Sequence, residues 1–213
     1  MDDDKTVVLN GSTIRFVDVV RGLKSEAEKV ARAFAEFKPD LLAMSISKEE
    51  IAGLRDYIKE PYEVEMSRYE ELYAERLSKF GDVFLPPPCF LAGLEEADKA
   101  GVEIIGIDMD DDTHSAAYCS FVSGSDLFRH TTRFNILKAR RFAAKTPEEF
   151  VVLWDRIVNN LKGFRELERD RERFMTMELI EIARRNDEKM LAIIDLERAE
   201  GVRRELSRMA SEE

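Results

Sequence analysis

The chain has little with which to build a metal or disulfide scaffold: two cysteines, Cys89 and Cys119, and two histidines, His114 and His130. Two cysteines exclude a disulfide framework and a four-cysteine zinc site. Two histidines leave few candidates for histidine chemistry, and no Ser-His-Asp set or nucleophile elbow surrounds either. No apolar run approaches the roughly 18 residues of a membrane span, and no signal peptide opens the sequence. These absences point to a reducing, cytoplasmic setting with no membrane span. Positive charge is also in deficit. Lys plus Arg number 33 against 44 Asp plus Glu, a net charge of −11, which argues against a nucleic-acid coat.

What is present suits one domain spanning residues 1–213. At 44% hydrophobic residues the chain can bury a core without staples. Its 36% charged content is that of a heat-adapted protein. Residues 1–5 read as an acidic tip. Short apolar runs at 6–9, 41–46, 102–107 and 190–194 read as buried strands, the first ending in a tight turn at Asn10-Gly11. Helical spacing follows at Leu23, Ala27, Val30, Ala31 and Phe34, ending before Pro39. Ser47 with Glu50 and Thr146 with Glu149 read as capping boxes. Further helices are expected at 64–80, 89–100, 126–143 and 200–209. The helix opened at Thr146 is expected to run to about Asn186, bent near Gly163. Gly101 reads as a helix C-cap.

Strands alternating with helices specify an α/β fold: a mostly parallel central sheet flanked by helices, with a helical insertion and a long helix in the C-terminal half. The segment 126–187 is expected to pack on the sheet domain or project from it. Such sheets bind ligands at the carboxyl ends of their strands. Candidate site residues therefore follow each strand, at 10–14, 45–47, 108–114 and 195–198.

The stretch Asp108-Met-Asp-Asp-Asp-Thr-His114 has two readings. Carboxylates at Asp108, Asp110 and Asp112 are the oxygen ligands that Mg²⁺ or Mn²⁺ prefers, and with His114 they make candidate catalytic residues. Asp and Thr at a helix start equally satisfy free backbone N–H groups. A phosphatase-type Asp-x-Asp motif fits poorly, because Asp112 occupies its Thr or Val position. Gly11, Ser12 and Thr13 form a polar turn able to offer N–H groups to an anion, without the spacing of a phosphate loop. Cys119 reads as a small buried hydrophobe. The basic stretch from Arg129 to Lys145 reads as a solvated helix face, and Phe150, Trp154, Ile157, Leu161 and Phe164 as core or a helix-partner surface.

The order of segments resembles the TraB/PrgY family, related to the ChaN-like, erythromycin-esterase-like and Tiki proteins. That family opens with a strand and Gly-x-x-His, then a helix, Lys-Pro-Asp and a strand ending in Glu. Here Gly11-Ser-Thr-Ile14 precedes a helix, Lys38-Pro-Asp40 and the strand to Ile46. The family continues with a helix, Gly, a strand and Asp-Arg-Asp with Thr downstream, as in Gly101 and Asp108-Met-Asp110 with Thr113. Arg171-Glu-Arg-Phe-Met175 is similar to its Arg-Asp-x-x-Met. Its closing strand, Gly-His and Gly-Ile align with Ile193 to Arg198 and Gly201-Val202. The departures fall on the chemistry. Ile14 and Arg198 stand at the histidine positions, Ser45 at the glutamate after the second strand, and Phe90 near a glutamate of the next helix. Ile cannot bind a metal and Arg stays protonated.

The resemblance thus implies a TraB-like fold without metal-dependent hydrolase chemistry, with no cofactor or metal expected, acting by ligand or protein binding. Gly11, Ser12, Thr13, Ser45, Thr113, Arg171, Glu172 and Arg198 are its candidate ligand-binding residues. Asp108, Asp110, Thr113, Arg171 and Glu172 would form either a structural network or a remnant anion pocket. The long amphipathic helix suggests a homodimer or other homo-oligomer, with no nucleic-acid partner and a small-molecule ligand of unknown identity. The alternative is a divalent-metal hydrolase using the acidic loop with Mg²⁺ or Mn²⁺.

Overall fold

The computed structural model of the chain describes residues 5–185 and 189–210. The acidic tip at 1–4 and the expected helix end at Asn186 lie outside these residues. Asn10 and Gly11 have positive φ angles of 49° and 87°. Asn-Gly in that conformation closes a two-residue hairpin, because its twist matches that of the flanking strands. The turn joins β1 (Thr6–Leu9) to β2 (Ser12–Val19), which pair antiparallel with Leu9 opposite Ser12. This corrects the sequence reading, which took the first strand as buried and passed from the turn to a helix. β1 is an exposed edge, and the strand that enters the core is β2.

The chain continues through α1 (Ser25–Phe37), β3 (Leu41–Met44), α2 (Lys48–Lys59), α3 (Arg68–Leu77) and α4 (Pro88–Ala100). β4 (Glu103–Gly106) leads to α5 (Asp111–Phe121), α6 (Gly124–Ala139), α7 (Pro147–Val158) and α8 (Lys162–Ala183). β5 (Lys189–Asp195) runs directly into α9 (Leu196–Ala210). Local signals placed several boundaries well. Ser47 and Glu50 form a reciprocal capping box at α2, and Gly101 caps α4 with a φ of 69°.

Others moved. A second capping box, Ser67 with Glu70, starts α3 four residues later than expected. The expected helix from Thr146 is two helices. α7 stops at Asn159, and α8 begins after Leu161, which has an extended backbone. The break therefore precedes Gly163. The limits of α5 were not expected, although the cap reading of the acidic stretch places a helix start there and Asp110 does cap it.

The five strands form one mixed sheet in the order β1-β2-β5-β3-β4, parallel except for β1. The last strand in sequence thus lies between β2 and β3, in register with both. Alternation along the central strands divides the core. Ile14, Phe16, Leu41, Ala43, Met190, Ala192 and Ile194 face α8 and α9. Val17, Val19, Leu42, Met44, Leu191 and Ile193 face α1, α2 and α4. β5 buries both faces and reads as a continuous apolar run for that reason. Each fully buried Leu or Ile contributes about 1.5–3 kcal/mol. β4 is a half-exposed edge strand rather than a buried one.

A third cluster caps the carboxyl ends of the strands. Val20 and Leu23 after β2 and Leu196 after β5 pack with Leu77 of α3 and with Phe150, Val151 and Trp154 of α7. The chain leaves β2 and β3 toward one face of the sheet and β5 toward the other, so a crevice is expected at the carboxyl end of β5.

Candidate functional site

Every strand that runs parallel delivers a polar residue to this crevice. Arg21 follows β2, Ser45 follows β3, Asp108 follows β4, and Asp195 ends β5. α7, α8 and α9 add Asp155, then Glu168, Arg171 and Glu172, then Glu197 and Arg198. The Arg171 guanidinium grips the Asp108 carboxylate with two nitrogens, Nη2 at 2.5 Å and Nε at 3.4 Å, and reaches Glu168 with Nη1 at 2.9 Å. Arg198, its side chain 6% exposed, meets Glu168 at 3.3 Å and Glu172 at 3.2 Å and also bonds Asp155. Arg21 pairs with Asp195 at 3.2 Å, while its carbonyl accepts a hydrogen bond from Tyr73. The Asp195 N–H donates to Ser45 Oγ at 3.0 Å, joining β5 to the end of β3.

These contacts set the protonation states. Burial alone would lower the arginine pKa values. Around Arg21 the charge of Asp195, and around Arg171 those of Glu168 and Asp108, outweigh it, so both stay above the ordinary value. Carboxylates fare differently. Burial raises Asp195, against the pull of Arg21. It also raises Asp155 and Glu172, against the pull of Arg198. Glu197 is moved furthest: burial first, then the charge of Asp195, push it up to about 7. Its Oε2 is buried with no hydrogen-bond partner among the described residues.

Two spaces with part of their lining in common open here. A cavity of about 180 Å³ is lined by Arg21, Arg171, Arg198, Asp155, Glu168, Asp195 and Glu197, with Trp154 and Val158 as its apolar wall. A polar cleft of about 900 Å³ between α7, α8 and α9 shares Asp155, Asn159, Glu168 and Arg198 with it.

Of the residues singled out from sequence, Ser45, Asp108, Arg171, Glu172 and Arg198 come together here. Gly11, Ser12 and Thr13 do not. Because β1 is antiparallel, their turn lies at the amino ends of the other strands, on the opposite edge. Ile14 lies inside β2 and is fully buried. Asp110 caps α5 by accepting the Thr113 N–H at 2.8 Å, and bonds from Thr113 hold its carboxyl below the ordinary value. Asp112 is exposed on the first turn of α5, and the His114 ring lies 6.3 Å from that of Tyr118. Among the described residues, no group of three His, Cys, Asp or Glu side chains is placed to hold a metal ion.

One other reading changed. Cys119 is exposed, whereas Cys89 is buried and its thiol is pushed up to about 12 by burial. His130 stacks between Tyr69 and Phe164 at 4.5 Å from each, where burial and then Arg133 lower its pKa.

The sequence missed Arg21 because β2 was missed. The signal was present in Ile14-Arg-Phe-Val-Asp-Val-Val20, a strand-like segment ending at Arg21. Asp155 and Glu168 carried no signal, since they lie within helices.

No protein-family model matches the chain, and no curated protein matches it.

Two measurements test the network. Removing Asp108, 7% exposed in its side chain, leaves Arg171 short of a partner, so Asp108→Ala should cost about 2–4 kcal/mol in urea unfolding. Asp111→Ala, at an exposed position, should cost less than about 1 kcal/mol. The second concerns pH. Glu197 keeps its proton to higher pH when folded than when unfolded, so ionising it opposes folding. Its contribution is fully present below about pH 4.5 and is lost as pH rises toward 7. Relative to Glu197→Gln, the natural chain should lose stability on the order of 1–3 kcal/mol across that interval.

Proposed function

We propose that this chain is a TraB-like domain that has exchanged metal-dependent hydrolysis for ligand or protein binding. The observation that carries the reading is the identity of the groups at the carboxyl edge. Three guanidinium groups, Arg21, Arg171 and Arg198, lie at the carboxyl edge of the sheet, each bonded to carboxylates. A divalent ion there would face fixed positive charge and would have to break buried ion pairs.

The strand order also shifts the resemblance. β2, not β1, reaches the site, and Asp18-Val-Val-Arg21 at its end takes the spacing of Gly-x-x-His. On this reading both histidine positions of the family hold arginine, Arg21 and Arg198, and Ile14 is not one of them. Asp108, Arg171 and Glu172 then act as the structural network that ties the sheet to α8 and α9, rather than as an anion pocket. α5 and α6 are the helical insertion. The alternative hydrolase would need Asp108, Asp110 and Asp112 to converge, and each is otherwise engaged or exposed.

Self-association is the second part of the reading. α6 buries only Leu137 and exposes Phe128 and Ile136 by 71% and 69%. Large apolar groups so exposed favour a partner surface. Arg129 and Arg133 on the same helix complement the acidic balance of a second copy.

Metal analysis after dialysis should find zinc far below one per chain, and Mg²⁺, Mn²⁺ or Zn²⁺ should leave the melting midpoint unmoved. Stoichiometric zinc, lost in His114→Ala, would overturn the binding-domain reading. Light scattering should give a dimer or larger assembly that Phe128→Glu with Ile136→Glu reduces to a monomer. A monomeric natural chain would overturn the self-association.

A further inference from the structure

The arginines at the sheet edge are each held by carboxylates, but two arginines at the end of α6 are not. His130, Arg133, Leu137 and Arg140 follow one another at i, i+3, i+7 and i+10, the spacing of a single helix face. This face meets Tyr69 of α3, Ile157 and Val158 of α7 and the Asn160 side of the turn into α8, and a cavity of about 240 Å³ lies between them. Arg133 and Arg140 line it, and no Asp or Glu does. Arg133 donates to Asn160 Oδ1, a bond between two side chains of the lining. Neither arginine forms an ion pair among the described residues. In a chain of net charge −11, two arginines without a carboxylate are a local inversion of charge. Their field reaches His130, where burial and then Arg133 lower the pKa. The remaining wall is apolar, formed by Ile136, Leu137, Ile157 and Val158. The Tyr69 ring is fixed beside it, stacked on His130 at 4.5 Å and donating its hydroxyl to the His130 carbonyl at 2.8 Å. An amine would meet only positive charge here, and an uncharged apolar molecule would leave the guanidinium groups without a partner. A carboxylate on an apolar body answers both.

We infer that this cavity binds a small monocarboxylate whose charged end is held by Arg133 and Arg140 and whose apolar body lies against Leu137, Ile157 and Val158. The inference goes beyond the reading above, because none of the paired arginines at the sheet edge lines this cavity. Size sets the body. An apolar cavity of about 150 Å³ holds benzene, so this one takes roughly nine or ten heavy atoms, the size of benzoate. Charge sets the head group. A guanidinium presents its donors in a planar fork that matches a carboxylate, and such charge-assisted bonds are about twice as strong as neutral ones. The aliphatic wall adds the burial of the body, about 25 cal/mol for each Å² of apolar surface removed from water.

His130 lines the cavity and is one of two histidines in the chain, so its ring proton resonances report occupancy, with His114→Ala supplying the assignment. At about pH 7.5 benzoate is ionised. Titration with sodium benzoate should shift the His130 resonances saturably, with a Kd on the order of millimolar. Acetate keeps the charge without the body and benzyl alcohol keeps the body without the charge, so each should bind about tenfold more weakly or worse. Arg140 is exposed, so Arg140→Gln should leave the fold intact and weaken benzoate by about tenfold. No saturable shift, equal affinity for all three compounds, or unchanged benzoate affinity in Arg140→Gln overturns the assignment. Phe128 stands on the surface assigned to self-association and does not line the cavity, so Phe128→Glu should bind benzoate as the natural chain does. Loss of binding in that variant would place the carboxylate at a contact between copies and would also overturn it. Retained zinc would defeat the binding-domain reading and leave this site standing.

Discussion

Arg198 is the group around which the carboxyl edge of the sheet is organised. It leaves the first turn of α9 and meets carboxylates from α7 and α8 together. Its charge cannot be relieved by deprotonation, so the surrounding residues must supply partners or the fold must expel it. Glu168 is shared between Arg198 and Arg171, and Arg171 in turn holds Asp108 at the end of β4. One continuous ionic chain therefore runs from α7 through α9 and α8 to the edge of the sheet. Removing Arg198 would leave largely buried carboxylates of α7 and α8 short of a partner, a larger loss than each pair itself contributes.

The packing around Glu172 shows how little slack this leaves. A Cβ added at Gly201 would lie 2.0 Å from the Glu172 carboxyl carbon. Glycine at that position lets α8 and α9 approach until Glu172 reaches Arg198, and Thr176 of α8 donates to the Val202 carbonyl of α9 at 3.3 Å. Apolar burial brings these helices onto the sheet, and the ion pairs then fix their orientation. Burial at the same time raises Asp155, Glu172, Asp195 and Glu197. The arginines of the site thus keep their charge, while burial opposes the charge of its carboxylates.

Local chemistry made much of the fold legible in advance. The capping serine Ser47, the C-cap glycine Gly101, the α/β alternation and the apolar run of β5 each follow from backbone or burial requirements that act within a few residues. Asp108 was expected to meet Arg171 or Arg198, residues that entered through the family resemblance, and the structure shows it bonded to Arg171. Strand order was not legible. Whether β5 lies at an edge or between β2 and β3 depends on which faces the intervening helices cover, a global packing question. The hairpin at Asn10-Gly11 was written in the dipeptide, but reading its turn as the end of a strand hid β2 and with it Arg21.

The sequence by itself determined the class of fold, the limits of α2 and α4 and the poverty of histidine and cysteine, because propensity, capping and composition are local or additive. Only the tertiary structure decided which charges meet. Asp155, Glu168, Arg171, Asp195, Glu197 and Arg198 come from three helices and a strand, and their protonation depends on mutual distance and burial. It also separated Gly11, Ser12 and Thr13 from the rest of the site, because one antiparallel edge strand carries their turn to the far side of the sheet.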